Sequence, residues 1–571
     1  MSHRRLLPLG LLALALVVNL FSSTAVAQTK TLAPKDSPDT TNPIQRVLLI
    51  SIDGMHSLDF ANCVKGVPAS GNDPYCPHLA SLSATGVHYL QALTSKPSDS
   101  FPGLVAQITG GTPRSAGIFY DVSYDRALSP PARTTPYGIV GGAKLCPSVV
   151  GTQVGFDEEI DYNYKDLDSG VANGSSGING INPDFLPRNP KNGCAPVYPH
   201  NYIRDNTIFN VVKNSGGYTA WSDKHPSYDF TNGPSGDGVN DLWSPEINSI
   251  PKAIPSVPGC SPLPDPGAAK ASNAWTDSFQ NIQCYDQYKV QAVLNWIDGK
   301  SHDGSVPEPV PTLFGMNFQS VSVGEKLVEK SKSLTGGYTD ALGTPSESLL
   351  QEIQYVDTAV GQIVSELKKQ GLFDSTLIII SAKHGQSPID PGRVLRIPGD
   401  VSTDEPPSQI LSPMGVGPGL PVAQADEDDI SMLWLTDQST TASAVATLSL
   451  PANENLFGQG EIFAGPSLTL QFNDPLTDSR TPDIIIAPNV GVIYTGGTAK
   501  VAEHGGFAYD DRNVVLIVSN PGYTASTYQD QVETRQIAPT ILAALGLDPT
   551  LLTAVQSEHT ETLPGLPFTQ P

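Results

Sequence analysis

Four apolar runs of this chain end in polar side chains of the kinds that bind metals or stabilise negative charge. Carboxylates and imidazoles are metal ligands, and a lysine ammonium stabilises anionic oxygens. Ligands bind outside the carboxyl ends of the strands in open α/β sheets, so we expect one shared site there. The runs are 47–52, 217–222, 312–318 and 375–381, and their polar residues are Asp53, Asp223, His225, Asn317, Gln319, Lys383 and His384. For Asp53, and for the stretch from Asp223 to His225, the alternative is an ordinary turn.

Two further candidates lie in loops. Ser100 precedes an apolar run at a predicted helix start, where a nucleophilic serine can meet a phosphate. A serine in this position is also a common helix N-cap, which is the competing interpretation. His504 lies between Glu503 and two glycines.

Alternating strands and helices predict how these residues are positioned. The clearest helix is 347–370, where apolar residues recur at helical spacing. Further helices are predicted at 77–82, 206–213, 285–296 and 535–545, and further strands at 483–487 and 513–518. The fold class is therefore α/β, with a doubly wound, mostly parallel sheet flanked by helices. Stretches rich in Gly, Pro, Asn and Asp predict loop-rich insertions at about 140–275 and 388–430.

The two ends of the chain differ in composition from its middle. Residues 1–27 have a basic start, an apolar core and an Ala25-Val-Ala27 ending, which predict a signal peptide cleaved near Ala27. An uncleaved membrane anchor is the alternative. We predict a lead-in at 28–45, one domain at 46–550 and a tail at 551–571. The protein is thus expected to be secreted or periplasmic.

Charge and cysteine usage narrow the possible partners. The formal net charge of −24 argues against duplex nucleic acid or an anionic membrane as the main partner. The six cysteines all follow the predicted cleavage site, and an even count in an exported chain favours disulfides. The simplest of the possible pairings is sequential: Cys63 with Cys76, Cys146 with Cys194, and Cys260 with Cys284.

Six short motifs occur in an order that resembles a known family. The chain is similar to the alkaline phosphatase superfamily, most closely to its type I phosphodiesterase/nucleotide pyrophosphatase branch. The motifs are Ile50-Ser-Ile-Asp-Gly-Met55, Ser98-Asp-Ser-Phe-Pro102 with Thr109-Gly110, Gly117-Ile118 with Tyr124-Asp125, Ile380-Ser-Ala-Lys-His-Gly385, Glu503-His-Gly505 and Gln536-Ile-Ala-Pro-Thr-Ile-Leu542.

The resemblance implies a chemistry and a role for each matching residue. In the family, a serine or threonine attacks phosphorus, assisted by two zinc ions. By position, Asp53 matches the first metal carboxylate, and Ser100 matches the nucleophile, which also contacts metal. His384 and His504 match two histidine ligands. Asp121 falls where the family has a phosphate-binding asparagine.

The chain also departs from the family pattern. Lys383 replaces a metal carboxylate, and an Asp-x-x-x-His ligand pair is replaced by Gln319 and Val323. One divalent ion, zinc by its ligands, is therefore expected rather than two. Three interpretations remain open: Lys383 supplies the missing positive charge, or Asp223 and His225 rebuild the metal site, or catalysis is lost and the cleft binds a ligand. A salt bridge from Lys383 to Asp53 or another carboxylate is its structural alternative.

The function expected from these observations is that of an exported hydrolase of small-molecule phosphate esters, and of diesters in particular. A catalytically inactive, ligand-binding relative is the alternative from a different class. A sulfatase is disfavoured because Ser98-Asp-Ser-Phe-Pro102 lacks the expected formylglycine signature. We treat His56, His78, His88 and His200 as structural because no motif includes them.

Overall fold

The run from Arg46 to Ile52 forms a strand in the middle of the main sheet of the computed structural model. Its side chains alternate between two hydrophobic cores, one on each face of the sheet. Val47 and Leu49 belong to one core, and Leu48, Ile50 and Ile52 belong to the other. A strand covered on both faces has to be apolar at nearly every position, as this run is.

The structure describes residues 44–135, 138–142, 144–156, 160–170, 177–249, 275–397, 405–495 and 498–568. The strands in these ranges are β1 Arg46–Ile52, β2 Gly86–Leu93, β3 Val122–Asp125, β4 Thr152–Gly155, β5 Arg188–Asn189, β6 Ala195–Pro196, β7 Thr219–Ser222, β8 Asp241–Trp243, β9 Leu313–Phe318, β10 Val328–Glu329, β11 Leu334–Thr335, β12 Thr376–Ser381, β13 Leu395–Arg396, β14 Val422–Glu427, β15 Ser431–Leu435, β16 Gly460–Ala464, β17 Ile484–Pro488, β18 Val492–Ile493, β19 Ile517–Ser519 and β20 Ser526–Glu533.

The main sheet has eight strands in the order β20-β2-β19-β12-β1-β9-β7-β8. Strand β19 runs antiparallel to both of its neighbours, and the other neighbouring pairs are parallel. This confirms the predicted α/β class with a mostly parallel sheet. Strands β7 and β8 lie within the predicted insertion at 140–275, so part of that stretch contributes to the main sheet.

The register of the central strands brings the predicted site residues to one edge. Ser51 of β1 lies beside Ser381 of β12, and Ile52 lies beside Phe318 of β9. Ser222 of β7 pairs with Met316 of β9. The residues that follow these positions leave the sheet together, because the four strands are parallel.

Helices cover both faces of the main sheet. Helix α9 packs on the face that contains Ile50, and α3 and α15 pack on the face that contains Leu49. The helices are α1 Ser57–Lys65, α2 Pro77–Ser83, α3 Ser100–Thr109, α4 Pro113–Ala116, α5 Pro199–Tyr202, α6 Ile208–Asn214, α7 Phe279–Ile297, α8 Ser320–Lys326, α9 Glu347–Lys369, α10 Pro407–Leu411, α11 Thr441–Leu448, α12 Pro451–Leu456, α13 Pro466–Thr469, α14 Tyr509–Arg512, α15 Ile537–Ala544 and α16 Thr553–Glu558.

A second, antiparallel sheet has the strand order β14-β15-β17-β16. Its two faces carry separate hydrophobic clusters, one around Leu433 and one around Trp434. The strand predicted at 483–487 belongs to this sheet as β17, one residue further along the chain.

Two of the predicted disulfides are present, Cys63–Cys76 and Cys146–Cys194. The third includes Cys260, which lies outside the described residues, as do the predicted signal peptide and nearly all of the lead-in. Among the helices that the structure describes, none has the length and apolar character needed to cross a bilayer.

Helix α9 allows a direct test of the core. Ile353 is 1% exposed within the apolar core, and its neighbour Gln354 faces solvent. We expect Ile353→Ala to lower the free energy of unfolding by about 2–5 kcal/mol, because it removes buried methylenes and leaves a cavity. Gln354→Ala is the control and is expected to change it by less than about 0.5 kcal/mol. Urea unfolding followed by circular dichroism measures both values, and equal effects would contradict the assigned orientation of α9.

Candidate active site

Asp53 is the first residue after β1, and its carboxylate is completely buried. Two amides from the end of β9 hold it. Asn317 Nδ2 donates to Oδ1 at 2.7 Å, and Gln319 Nε2 donates to Oδ2 at 2.6 Å. Burial alone would raise the pKa of Asp53, but the charge of Lys383, followed by the contact with the His384 imidazole, holds the pKa well below its usual range. Asp53 is therefore an oriented, ionised carboxylate.

Ser100 begins α3, and its hydroxyl is not used to cap that helix. The N-cap is Asp99, whose side chain accepts a hydrogen bond from the backbone N–H of Phe101 at 2.8 Å. The Oγ of Ser100 lies 3.5 Å from Oδ2 of Asp53. The capping interpretation of Ser100 therefore does not apply, and its hydroxyl faces the Asp53 carboxylate.

The close approach of α3 to the end of β12 depends on Gly103. A Cβ at this position would lie 2.1 Å from the carbonyl oxygen of Lys383, which is far inside van der Waals contact. Any larger side chain would push α3, and Ser100 with it, away from the sheet edge. Gly103 thus positions the serine without contacting it.

His384 lies next to the Asp53 carboxylate, and His504 lies next to His384. Nε2 of His384 is 3.5 Å from Oδ2 of Asp53, and the two imidazole rings are 4.2 Å apart between centroids. Nδ1 of His384 lies 3.0 Å from the carbonyl oxygen of Gly385, which assigns its proton to Nδ1 and leaves a lone pair on Nε2. Nε2 of His384 and Nδ1 of His504 are both buried without a hydrogen-bond partner.

The protonation of these histidines suits metal binding. Burial lowers the pKa of His384, and burial together with His384 lowers the pKa of His504 well below its usual range. Both rings are therefore neutral at neutral pH, as ligands must be. Two neutral imidazoles and one carboxylate form a donor set that suits a single zinc ion.

Lys383 forms a buried ion pair with Asp223. Its Nζ lies 2.7 Å from Oδ1 of Asp223, and both side chains have zero exposure. The same Nζ lies 4.1 Å from the centroid of the Tyr228 ring. Burial lowers the pKa of Lys383 and raises that of Asp223, and the attraction between the two opposes both shifts. The salt-bridge alternative for Lys383 is thus what the structure shows, with Asp223 as its partner.

The same geometry bears on the interpretation in which Asp223 and His225 rebuild a metal site. The other oxygen of Asp223 accepts a hydrogen bond from Trp221 Nε1 at 3.0 Å. Nδ1 of His225 lies 2.9 Å from Oε1 of Glu246. The structure therefore pairs Asp223 and His225 with other groups, and these two residues do not form a donor set for a second ion at Asp53.

Lys224 is a site residue that the sequence analysis did not select. Its Nζ lies 3.0 Å from Oγ of Ser100, and 3.3 Å from Oε1 of Gln319. It also lies 3.8 Å from Oδ2 of Asp53, and the side chain is 15% exposed. Its position between two candidate residues at a strand end would have been the signal for finding it.

Asp121 lies at the margin of this group. Its Oδ1 accepts a hydrogen bond from the backbone N–H of Val122 at 2.7 Å. Burial, followed by the charge of Asp121, raises the pKa of Asp99 well above its usual range. Oδ1 of Asp99 in turn lies 3.6 Å from Nδ1 of His504. Asp121 is thus near the candidate centre, on the side of His504.

A separate group of side chains is close enough to share an ion. His56, Asp59 and Glu325 offer ligand atoms that all lie within 4.8 Å of one another. Among the described residues, this is the one group of at least three histidine, cysteine or acidic side chains whose ligand atoms lie that close together. It does not include the residues predicted from the sequence as metal ligands.

The protein is of the α/β class with a mostly parallel central sheet, and serine, carboxylate and histidine side chains lie at one edge of that sheet. Comparison with known proteins identifies its family. The family model described as type I phosphodiesterase/nucleotide pyrophosphatase matches residues 47–138 and 335–524. The chain belongs to this family, which is part of the alkaline phosphatase superfamily. The family is one of phosphate ester hydrolases that typically depend on divalent metals. Asp223 and Lys224 lie in the unmatched stretch between the two matched parts.

Solved structures of ectonucleotide pyrophosphatase/phosphodiesterase 5 are similar in fold. The human protein is 13% identical, and the match covers 88% of this chain and 95% of that chain with a TM-score of 0.50. The mouse protein is 12% identical over the same shares, with a TM-score of 0.49. A second mouse structure, with the same values, is of an inactive form in complex with AMP. No curated protein matches the sequence.

The ion pair predicts how metal content responds to mutation. Lys383→Asp removes the cation and adds a carboxylate beside Asp223, so we expect more bound metal per chain than in the parent protein. Lys383→Met removes the same charge without adding a ligand, and serves as the control. Plasma mass spectrometry of the purified proteins measures the content. A lower content in Lys383→Asp than in Lys383→Met would show that Lys383 does not stand at a lost ligand position.

Proposed function

We propose that this protein hydrolyses small-molecule phosphate esters, and diesters in particular, with Ser100 as the nucleophile. The observation that carries the proposal is the position of the Ser100 hydroxyl. It begins α3 without capping it, lies 3.5 Å from the Asp53 carboxylate and accepts a hydrogen bond from Lys224 at 3.0 Å. A serine held between a carboxylate and an ammonium is placed for nucleophilic attack.

The proposed reaction has two steps. Ser100 Oγ attacks phosphorus, the bond from phosphorus to the leaving group breaks, the serine proton is transferred to the departing oxygen, and a phosphoryl-serine forms. Water then attacks the same phosphorus, the bond to Ser100 Oγ breaks, and a proton of the water is transferred to Ser100 Oγ. The protein has to stabilise negative charge on the serine oxygen and on the phosphoryl oxygens. The ammonium of Lys224 contacts the serine oxygen directly, and the ion pair of Lys383 adds a second buried cation beside Asp53.

We further propose that the site binds one divalent cation, zinc by its ligand chemistry. Asp53, His384 and His504 would hold it, with Ser100 beside them. The support is that two buried imidazole nitrogens have no hydrogen-bond partner. In addition, His384 lies against the ionised carboxylate of Asp53, and the centroids of the two rings are 4.2 Å apart. When bound, such an ion supplies Lewis-acid stabilisation of a phosphoryl oxygen. A second ion finds no comparable donor set, because Lys383 and Gln319 occupy positions of family ligands.

Export of the protein is part of the same proposal. The two disulfides of the described residues form in an oxidising compartment, which agrees with the predicted signal peptide. The substrate would then be an extracellular or periplasmic phosphate ester.

The second candidate function is binding of an anionic ligand without turnover. The observation in its favour is the Lys383–Asp223 ion pair, which neutralises the region where the family uses a metal. The two candidates differ in what Ser100 does, since a binding protein needs no nucleophile.

The first test removes the nucleophile. Ser100→Ala is expected to reduce hydrolysis of bis(p-nitrophenyl) phosphate by about 10³-fold or more, because the covalent step is lost. Ser443→Ala, at an exposed position of α11, is the control and should keep the parent rate. Absence of turnover by the parent protein on this and related phosphate esters would favour the binding function. Equal rates in parent and Ser100→Ala would exclude Ser100 as the nucleophile.

The second test concerns Lys224. Lys224→Met is expected to lower kcat by about 10²- to 10³-fold, because the cation that contacts the serine oxygen is lost. Lys224→Arg keeps the charge and should recover part of the rate. Lys300→Met removes an exposed lysine, 45% exposed, and should leave the rate unchanged. If Lys224→Met raised KM and left kcat unchanged, Lys224 would serve ground-state binding only.

A further inference from the structure

A second group of titratable side chains lies behind the candidate active site. It consists of His56, Asp59, Glu325 and Tyr338. His56 is the N-cap residue of α1, Asp59 lies in the first turn of that helix, and Glu325 lies on α8. Each of the four side chains is at most 9% exposed. The group is therefore closed off from bulk water, and its charges have to be balanced locally.

The oxygen and nitrogen atoms of this group lie close enough together to contact one ion. Nδ1 of His56 lies 3.0 Å from Asp59 Oδ2, 2.8 Å from the Tyr338 hydroxyl and 3.2 Å from Glu325 Oε1. The hydroxyl of Tyr338 lies 2.9 and 3.1 Å from the two oxygens of Asp59 and 2.8 Å from Glu325 Oε1. The donors to these oxygens are the Nδ1 proton of His56, the hydroxyl proton of Tyr338 and the backbone N–H of His56, which donates to Asp59 Oδ2 at 2.8 Å.

The surroundings of the group have the features of a ligand shell. Nε2 of His56 lies 3.0 Å from the backbone oxygen of Gln386 and 3.1 Å from its backbone nitrogen, so the backbone of Gln386 fixes the orientation of the ring. The second oxygen of Glu325 is buried and has no hydrogen-bond partner. It lies 2.5 Å from where a Cβ on Gly54 would be, so it packs against the backbone directly after Asp53.

We propose that His56, Asp59 and Glu325 form a divalent-cation site, with the Tyr338 oxygen as a fourth ligand or as a hydrogen-bond donor to a bound carboxylate. The ion would bind Nδ1 of His56 and one oxygen of each carboxylate, and it would neutralise both carboxylates. Mixed nitrogen and carboxylate ligands suit zinc or manganese. The site is distinct from the one proposed at Asp53, His384 and His504, and it does not depend on Ser100 being a nucleophile.

The position of the site indicates a structural role. An ion here would join the beginning of α1 to α8 and hold Glu325 against Gly54. That contact supports the turn in which Asp53 leaves β1. A cavity of about 480 Å³ adjoins the group and is lined in part by His56, Asp390 and Asp510.

The test measures metal content and thermal stability of the full-length protein. Glu325→Gln keeps the shape of the side chain and removes its charge. We expect it to lose about one bound metal per chain, and to lose the rise in Tm of about 2–5 °C that zinc or manganese produces in the chelator-treated parent protein. Glu352→Gln is the matched control, because Glu352 is also a completely buried glutamate but lies on α9 outside the group. It should keep both the metal and the rise in Tm.

His504→Ala separates this site from the candidate catalytic one. This variant is expected to keep the metal-dependent rise in Tm of the parent protein. It is also expected to lose the one metal ion per chain that we propose for the site at Asp53, His384 and His504. If Glu325→Gln keeps the same metal content and the same metal-dependent Tm as Glu352→Gln, the proposal is overturned. Anomalous diffraction from zinc-soaked crystals of the parent protein provides a measurement that needs no variant. A peak between His56, Asp59 and Glu325 supports the site, and absence of a peak there overturns it.

Discussion

The balance of buried charge at the carboxyl edge of the main sheet is the constraint on which this site depends. Asp53 and Asp223 are completely buried, and an unpaired buried carboxylate is costly. Here the ammonium of Lys383 pairs with Asp223, and Lys224 lies within 3.8 Å of Asp53. The chain thus supplies two of its own cations to balance these carboxylates.

The scaffold makes this balance possible because several elements converge on one edge. Strands β12, β1, β9 and β7 are parallel neighbours, so the residues after them leave the sheet side by side. Helix α3 can approach Lys383 only because Gly103 has no side chain. The amides of Asn317 and Gln319 then orient Asp53. The contacts of the Asp53 carboxylate are thus made by two amides and by Lys224.

Charge compensation differs between the two sides of Asp53. On the side of Lys224 and Lys383, fixed cations meet the carboxylates. On the side of His384 and His504, two neutral rings carry nitrogen atoms with no hydrogen-bond partner, so that side is the one suited to an added cation. The group around His56 brings two carboxylates and one imidazole within 4.8 Å of one another, and it is where we propose the other ion. An added ion at either place would act on the turn that carries Asp53.

The sequence by itself determined the fold class, the strands and helices around the site, and two disulfides. These follow from local patterns, since apolar runs define buried strands and helical spacing defines α9. Asp53, Ser100, His384 and His504 were selected in the same way, from strand ends and motif order. The structure brings these four residues together.

Only the tertiary structure decided which side chains meet across the sheet edge. Lys383 had several possible carboxylate partners, and the register of β12, β1, β9 and β7 places it against Asp223. Lys224 was passed over because no motif marks it, and its contact with Ser100 joins residues 124 positions apart. The capping role of Asp99 likewise follows from backbone geometry rather than from residue type. Partners so distant in the chain depend on strand order and register, which local sequence patterns do not specify.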